Sequence, residues 1–108
     1  MKFVLKLKII CIRWSIKRLV KNTTSEKCSV ISYGAYDISP KHLVFLICIQ
    51  TDQEKIRLLN NAYLMHELRN TLLKFDYPED FRKDVKIDFE SQENVDRKSN
   101  GDWYVHLK

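Results

Sequence analysis

Glycine, proline and cysteine are scarce in this chain of 108 residues, which contains two glycines, two prolines and three cysteines. Collagen-like and low-complexity chains are excluded by that scarcity, and the hydrophobic fraction of 44% excludes intrinsic disorder. An odd number of cysteines without a CxxC pair cannot close a disulfide framework, which favours a reducing compartment. The length suits one domain, so we expect residues 1–108 to fold as a single unit.

Long apolar runs are also missing. The longest, residues 43–49, has seven members, whereas a membrane-spanning helix requires roughly 18. Lys6 and Lys8 interrupt the N-terminal run that a signal peptide would need. We therefore expect a cytoplasmic protein without an integral membrane segment.

Motifs for cofactors and catalysis are absent as well. The cysteines and histidines are spaced too widely for a zinc site. The chain contains no glycine-rich phosphate loop and no nucleophile motif. We therefore expect neither a metal nor a cofactor, and binding is a better hypothesis than catalysis.

Charge is plentiful but unevenly distributed. Residues 1–28 hold eight basic side chains and one acid, a net charge of +7, while the other 80 residues hold 11 basic and 13 acidic side chains, a net of −2. The excess therefore belongs to a basic segment, residues 1–22, that precedes an α+β body at 28–108. Apolar residues at intervals of three and four in this segment predict an amphipathic helix over about residues 4–21, although residues 1–8 also suit a strand. They are Leu5, Ile9, Ile12, Ile16 and Leu19.

Two strands are predicted after the basic segment. Residues 28–38 are rich in β-favouring side chains, and a turn at 39–42 leads into residues 43–50. This second segment is apolar on both alternating faces, which predicts a central strand covered on both sides.

A helix and two further strands complete the predicted fold. Thr51 and Glu54 have the spacing of a capping box, which predicts a helix over about 52–74, and Pro78 favours a short helix to about residue 83. Residues 85–90 and 103–107 alternate apolar and polar side chains around a polar loop. The predicted class is α+β, in the order helix, strand, strand, helix, strand, strand, with a four-stranded, largely antiparallel sheet.

The candidate binding site lies on the polar face and loop of that predicted C-terminal hairpin. Acidic and aromatic side chains are concentrated there, and Arg and Trp are common at interface hot spots. The candidates are Glu90, Glu93, Asp96, Arg97, Asp102, Trp103, Tyr104 and His106. The alternatives are a merely solvated face and, from Asp88, Glu90 and His106 on one side of the hairpin, an acid–base hydrolase.

Two further groups carry charge-based hypotheses. Arg69 falls at the centre of the apolar face of the second helix, where a charge requires a partner. It would either tie that helix to an acid of the hairpin, namely Glu90, Glu93 or Asp96, or extend to solvent. Lys17, Arg18 and Lys21 could bind nucleic acid or an anionic membrane surface, or form the solvated back of a helix that covers the sheet.

A resemblance adds one expectation. The runs 33–37, 39–42, 89–93, 95–97 and 100–104, with the letters YGAYD, SPKH, FESQE, VDR and NGDWY, are similar to the C-terminal part of a group of short uncharacterised bacterial proteins. The resemblance covers residues 33–108 and implies no activity. In size and make-up alone, the chain also resembles the small immunity proteins that neutralise bacterial toxins.

These observations lead to one functional hypothesis. We expect a protein-binding domain of immunity type, without catalysis, whose acidic and aromatic C-terminal residues contact a basic partner. A homodimer through a sheet edge or the polar face is left open.

Overall fold

The computed structural model describes residues 2–35 and 40–107, so the end of the first predicted strand and the start of the following turn lie outside the described residues. Within these two ranges, no helix combines the length and the apolar character needed to cross a bilayer. The elements in chain order are α1 (Lys2–Lys21), β1 (Ser29–Tyr33), a 3-10 turn (Pro40–His42), β2 (Val44–Ile49), α2 (Asp52–Leu59), α3 (Ala62–Lys74), α4 (Glu79–Arg82), β3 (Lys86–Ser91), α5 (Gln92–Ser99) and α6 (Trp103–His106).

The sheet has three described strands in the order β1-β2-β3 and is mixed. β1 runs antiparallel to β2, with Val30 opposite Ile47, whereas β3 runs parallel to β2, with Phe89 opposite Ile47. The α+β class and the central position of β2 are confirmed, but the four-stranded, largely antiparallel sheet is wrong. Three helices connect β2 to β3, and a connection of that length allows β3 to pair parallel to β2, whereas an antiparallel pair is usually joined by a short turn.

The two faces of the sheet differ in burial. Phe45, Ile47 and Ile49 of β2 point into the core, where they join residues of α1 and α3. The opposite face, which we call the open sheet face, carries Ser29, Ile31, Tyr33, Val44, Leu46, Cys48, Lys86, Asp88 and Glu90. Leu46 at its centre is buried, but Tyr33, Lys86 and Asp88 are exposed. The expectation that β2 is covered on both sides therefore holds for only one face in full.

Helix α1 follows the predicted pattern, and residues 2–8 are helical. Its buried stripe consists of Ile9, Ile12, Ile16 and Val20, with Leu5 and Leu19 partly buried against the same core. α1 packs on α3 and β1. Burial of each large aliphatic side chain contributes about 1.5–3 kcal/mol, so this stripe holds the basic helix firmly on the body.

The predicted helix over 52–74 is two helices. α2 ends at Asn60, and the Asn61 side chain accepts a hydrogen bond from the Leu64 amide at 3.0 Å, which starts α3. The break changes the helical phase. Leu64 is therefore buried, while Ala62 and Leu73, which the uninterrupted helix would place in the core, are exposed.

The start of α2 is held by a carboxylate from outside the predicted capping box. Thr51 accepts from the Glu54 amide at 3.2 Å, as predicted. The amide of Thr51, however, donates to Glu26 at 3.1 Å, and its hydroxyl donates to the same carboxylate at 2.6 Å. Glu54 instead accepts hydrogen bonds from Arg57 and Thr24, and these lower its pKa to about 2.

The C-terminal hairpin of the sequence prediction does not exist. Ser91 ends β3 and caps α5 by accepting from the Asn94 amide at 3.1 Å, so the predicted loop is mostly helical. The chain then reverses at Asn100 and Gly101, which have φ of +51° and +79°. Asp102 accepts from the amides of residues 104 and 105, which begins α6 where a strand was predicted.

Candidate functional site

A largely buried contact between a histidine and a carboxylate joins the end of β3 to α6. Nε2 of His106 lies 2.6 Å from Oε2 of Glu90, and the two side chains are only 14% and 13% exposed. Asn94 donates to both carboxylate oxygens at 3.1 Å, and Nζ of Lys55 lies 3.5 Å away. Burial raises the pKa of Glu90, but the hydrogen bonds from His106, the Ser91 amide and Asn94, with the charge of Lys55, outweigh it and lower that pKa. Glu90 is therefore ionised at neutral pH.

A serine completes a line of three side chains. Oγ of Ser99 lies 3.1 Å from Nδ1 of His106, so the order is Ser99, His106, Glu90. These are the residue types that serine hydrolases use as nucleophile, base and orienting acid. Asp88, the third residue of the hydrolase hypothesis, is not part of this line: it is exposed and accepts from the Phe89 amide. The line fastens α6 to α5 and β3.

A second polar network holds α5 against α2. Nη1 of Arg97 lies 2.8 Å from Oδ2 of Asp52, whose other oxygen accepts from Ser91. The hydrogen bonds from Ser91 and Arg97 lower the pKa of Asp52. Glu93 accepts from the Asp52 amide at 2.7 Å. Arg97 and Glu93, both predicted to contact a partner, thus connect two helices of the protein itself.

Trp103 forms one wall of a cleft at the end of the open sheet face. Its Nε1 donates to Gln92 at 2.8 Å, and its ring meets the His106 ring edge to face, with centroids 6.2 Å apart. The cleft has a volume of about 460 Å³. Its lining consists of Lys27, Cys28, Ser29, Ile31, Cys48, Ile49, Gln50, Gln92 and Trp103.

The thiols in this cleft are not activated. Burial raises the pKa of Cys28 despite the charges of Lys17 and Lys21, and burial also raises the pKa of Cys48. Both cysteines are consequently protonated at neutral pH and are poor nucleophiles. The described residues also contain no cluster of His, Cys, Asp or Glu side chains that could hold a metal ion.

The remaining predicted binding residues face solvent around α6. Tyr104 is 72% exposed, and Val105 and Leu107 beside it are also exposed. Asp102 and Asp96 are exposed although each makes a local hydrogen bond, Asp102 at the start of α6 and Asp96 with Gln92. We call Asp96, Asp102, Tyr104, Val105 and Leu107 the α6 surface.

No family model, curated protein or solved structure matches this chain. The resemblance of residues 33–108 to short bacterial proteins stays a prediction, as does the immunity-type role.

Arg69 is a tie, but not to the C-terminal acids. Its guanidinium donates to the backbone carbonyl of Val85 and, at 2.8 Å, to that of Arg82. The acids proposed as partners, Glu90, Glu93 and Asp96, have the partners described above. Arg69 therefore secures the connection from α4 to β3, and its effect on the C-terminal helices is indirect.

Lys17, Arg18 and Lys21 are exposed on α1. With Arg13 and Trp14 they line a cleft of about 630 Å³ between α1 and β1. None of these four basic side chains makes an ion pair or a side-chain hydrogen bond within the described part of the chain.

Six residues of the networks were missed by the sequence analysis: Asp52, Lys55, Ser91, Gln92, Asn94 and Ser99. Asp52 and Lys55 lie about 40 residues before their partners, and no local pattern relates them. Ser91 gave a usable signal, because serine is a preferred residue at the start of a helix, and a helix from residue 92 carries Gln92, Asn94 and Ser99.

Proposed function

We propose that the chain is a protein-binding domain without catalytic activity, and that it binds its partner through the Trp103 cleft and the adjoining α6 surface. The observation that carries this proposal is the cleft itself, a concave site beside β1 and β2 with a tryptophan as one wall. Aromatic side chains on the rim of a concave site are the usual anchors of protein interfaces.

The networks around the cleft support the proposal because they keep its wall in place. Trp103 is held by Gln92, and the helix that carries it is fastened through His106 to Glu90. A site that is ordered before binding loses less conformational entropy on association. The polar contacts of Gln92, His106 and Glu90 thus favour binding by ordering Trp103, although these three residues are not fully exposed.

Charge indicates the kind of partner. Residues 29–108 carry a net negative charge, and Asp96 and Asp102 contribute exposed carboxylates next to Tyr104. Carboxylates on the rim of an interface steer a basic partner and exclude an acidic one. We therefore propose an immunity-type role in which a basic protein toxin is the partner and is inhibited when bound.

Hydrolysis is not part of the proposal. Ser99, His106 and Glu90 are only partly exposed and join three elements of the protein, so we assign this line of side chains a structural role. The cleft is lined by Cys28 and Cys48, whose raised pKa values disfavour a thiolate, and not by Ser99 or His106.

Site-specific photocrosslinking tests the proposed surface. A benzophenone amino acid is introduced in place of Tyr104 or, as a matched control, in place of Tyr63, which is 76% exposed on α3. In cells that produce the chain natively, we expect one protein to crosslink at position 104 and not at position 63. Equal crosslinking at both positions, or none at position 104, would contradict the proposal.

Inhibition tests the immunity-type role separately. The crosslinked protein is identified and purified, and its toxic activity is measured with equimolar wild-type chain, with Tyr104→Ser and with Tyr63→Ser. We expect wild type and Tyr63→Ser to inhibit equally and Tyr104→Ser to inhibit at least about tenfold more weakly, as at an aromatic hot spot. If a partner binds but none of its activities is inhibited, the proposal of a binding domain stands and the proposal of an immunity-type role is refuted.

A further inference from the structure

Helix α1 carries a second apolar stripe on the side that faces solvent. Val4, Leu7, Cys11 and Trp14 recur at intervals of three, four and three, which places them on one side of the helix, with Ile10 beside them. All five are exposed: Trp14 at 72%, Val4 at 52%, Leu7 at 47%, and Ile10 and Cys11 with them. The outer stripe, as we call these five residues, lies opposite the buried stripe of Ile9, Ile12, Ile16 and Val20.

The buried stripe makes the outer stripe a preformed surface. Because Ile12, Ile16 and their neighbours fix α1 on the core, the helix presents the outer stripe without having to fold on binding. A contiguous apolar patch on a protein surface commonly marks an interaction site.

The charges around the outer stripe select its occupant. Residues 2–21 contain seven Lys and Arg and no acid. At 100° per residue, Lys6, Arg13 and Lys17 lie along one flank of the outer stripe. Arg18 and Lys21 lie in line with the outer stripe itself, between Trp14 and the end of the helix. Two copies of such a helix repel each other, so a second chain is a poor occupant of this face.

We infer that the outer stripe binds the surface of an anionic lipid membrane, with α1 lying in the plane of the interface. Aliphatic side chains and Trp14 enter the boundary between headgroups and acyl chains, and the flanking cations contact acidic headgroups. This function is independent of partner binding at the Trp103 cleft, which lies beyond β1 on the open sheet face.

Single-stranded nucleic acid is the competing occupant, and the outer stripe disfavours it. Trp14 and the basic cleft beside it would suit base stacking and phosphate contacts. Val4, Leu7 and Ile10 have no role in such a complex, because exposed aliphatic side chains neither stack on bases nor neutralise phosphates. In a membrane interface, all of these side chains contribute.

Vesicle flotation tests the inference. The full chain is mixed with phosphatidylcholine vesicles that contain about 30% phosphatidylserine, and with vesicles of phosphatidylcholine alone. We expect flotation only with the acidic vesicles, decreasing as salt is raised, and a blue shift of Trp14 fluorescence measured in a Trp103→Phe background. Absence of flotation with acidic vesicles at low salt would overturn the inference.

Three variants separate the contributions. Leu7→Ser with Trp14→Ser removes part of the outer stripe and should weaken vesicle binding about tenfold or more. Lys17→Gln, Arg18→Gln and Lys21→Gln together should weaken it about a hundredfold, about fivefold for each charge. Tyr63→Ser, which removes an equally exposed aromatic from α3, should leave vesicle binding unchanged. Unchanged unfolding in urea verifies that each variant is folded.

The same variants distinguish a membrane from a nucleic acid. A fluorescent oligothymidylate is titrated under the same salt conditions. If the chain binds it more tightly than the acidic vesicles, and the variant at Leu7 and Trp14 retains vesicle binding, the inference is wrong and the basic cleft is a nucleic-acid site. Loss of vesicle binding in that variant, with weaker oligonucleotide binding throughout, supports the membrane.

Discussion

Replacing His106 with alanine tests how α6 is held on the sheet. The substitution removes the contact of 2.6 Å with Glu90 and the contact of 3.1 Å with Ser99. A hydrogen bond to a charged group contributes about 1.5–3 kcal/mol. Asn94 and Lys55 continue to partner Glu90, so the lower half of that range applies. We expect the free energy of unfolding to fall by about 2 kcal/mol, which for a domain of this size lowers the melting temperature by roughly 8–16 °C.

Urea unfolding at pH 7 measures this change. A Trp14→Phe background leaves Trp103 as the only tryptophan, so emission excited at the tryptophan absorption edge also reports on α6. His66→Ala is the matched control, because His66 is exposed on α3, and it should change stability by less than about 0.5 kcal/mol. A double-mutant cycle with Glu90→Gln should give a coupling energy of about 1–2 kcal/mol.

Two results would refute the reasoning. If His106→Ala is as stable as His66→Ala, the buried pair contributes nothing and α6 is held by other contacts. If both positions matter but their effects add without coupling, the contact between His106 and Glu90 is not the source of the stability.

Two further predictions follow from the polar networks. Arg69→Met leaves the carbonyls of Val85 and Arg82 without their donor and should lower the free energy of unfolding by about 1–3 kcal/mol in urea, whereas equal or higher stability would remove the tie. Because the pKa of Glu54 is lowered to about 2, its ionised form stabilises the protein above the unfolded value of about 4.3, and that stability is lost as the pH falls through about 2. The stability gap between wild type and Glu54→Gln, measured by denaturation from pH 7 downwards, should therefore narrow between about pH 4 and pH 2, and a constant gap would contradict the assignment.

The elements with strong hydrophobic periodicity were predictable. α1 repeats its apolar residues over five turns, which identifies a helix even though residues 1–8 alone also suit a strand, and β2 is a short apolar run that follows a turn. The split at Asn60 and Asn61 was less visible, because asparagine is tolerated inside a helix and also caps one. As a result, Leu58, Leu68 and Leu72 were correctly assigned to the core, but Ala62 and Leu73 were assigned to it wrongly and Leu64 was left out.

The C-terminal helices were missed because their patterns are short and ambiguous. α5 buries a single apolar side chain, Val95, so it has little periodicity to detect. Trp103, Val105 and Leu107 alternate as a strand would, but Asp102 caps the segment and makes it a helix. Because residues 103–106 are helical, the described sheet has neither the predicted C-terminal hairpin nor a fourth strand.

The sequence analysis identified several residues that lie together at the candidate site, but it did not predict what most of them do there. Glu90, Trp103 and His106 are brought together by the structure, and Tyr104 is exposed as a binding residue should be. Arg97 and Glu93 instead connect α5 to α2 through Asp52. This role was not predicted, because Asp52 lies about 40 residues earlier in the chain. Long-range pairing of this kind leaves no trace in local spacing.

The parallel pairing of β2 with β3 has a consequence for the order in which the protein folds. Val44 pairs with Lys86 and Ile49 with Ser91, so the partners in this ladder are 42 residues apart, whereas β1 joins β2 across a much shorter connection. Closing long loops slows folding, since entropy is lost before the contacts that compensate for it form. We therefore expect docking of β3 to be the slow step, and the Trp103 cleft, which needs β3 to support α6, to form after it.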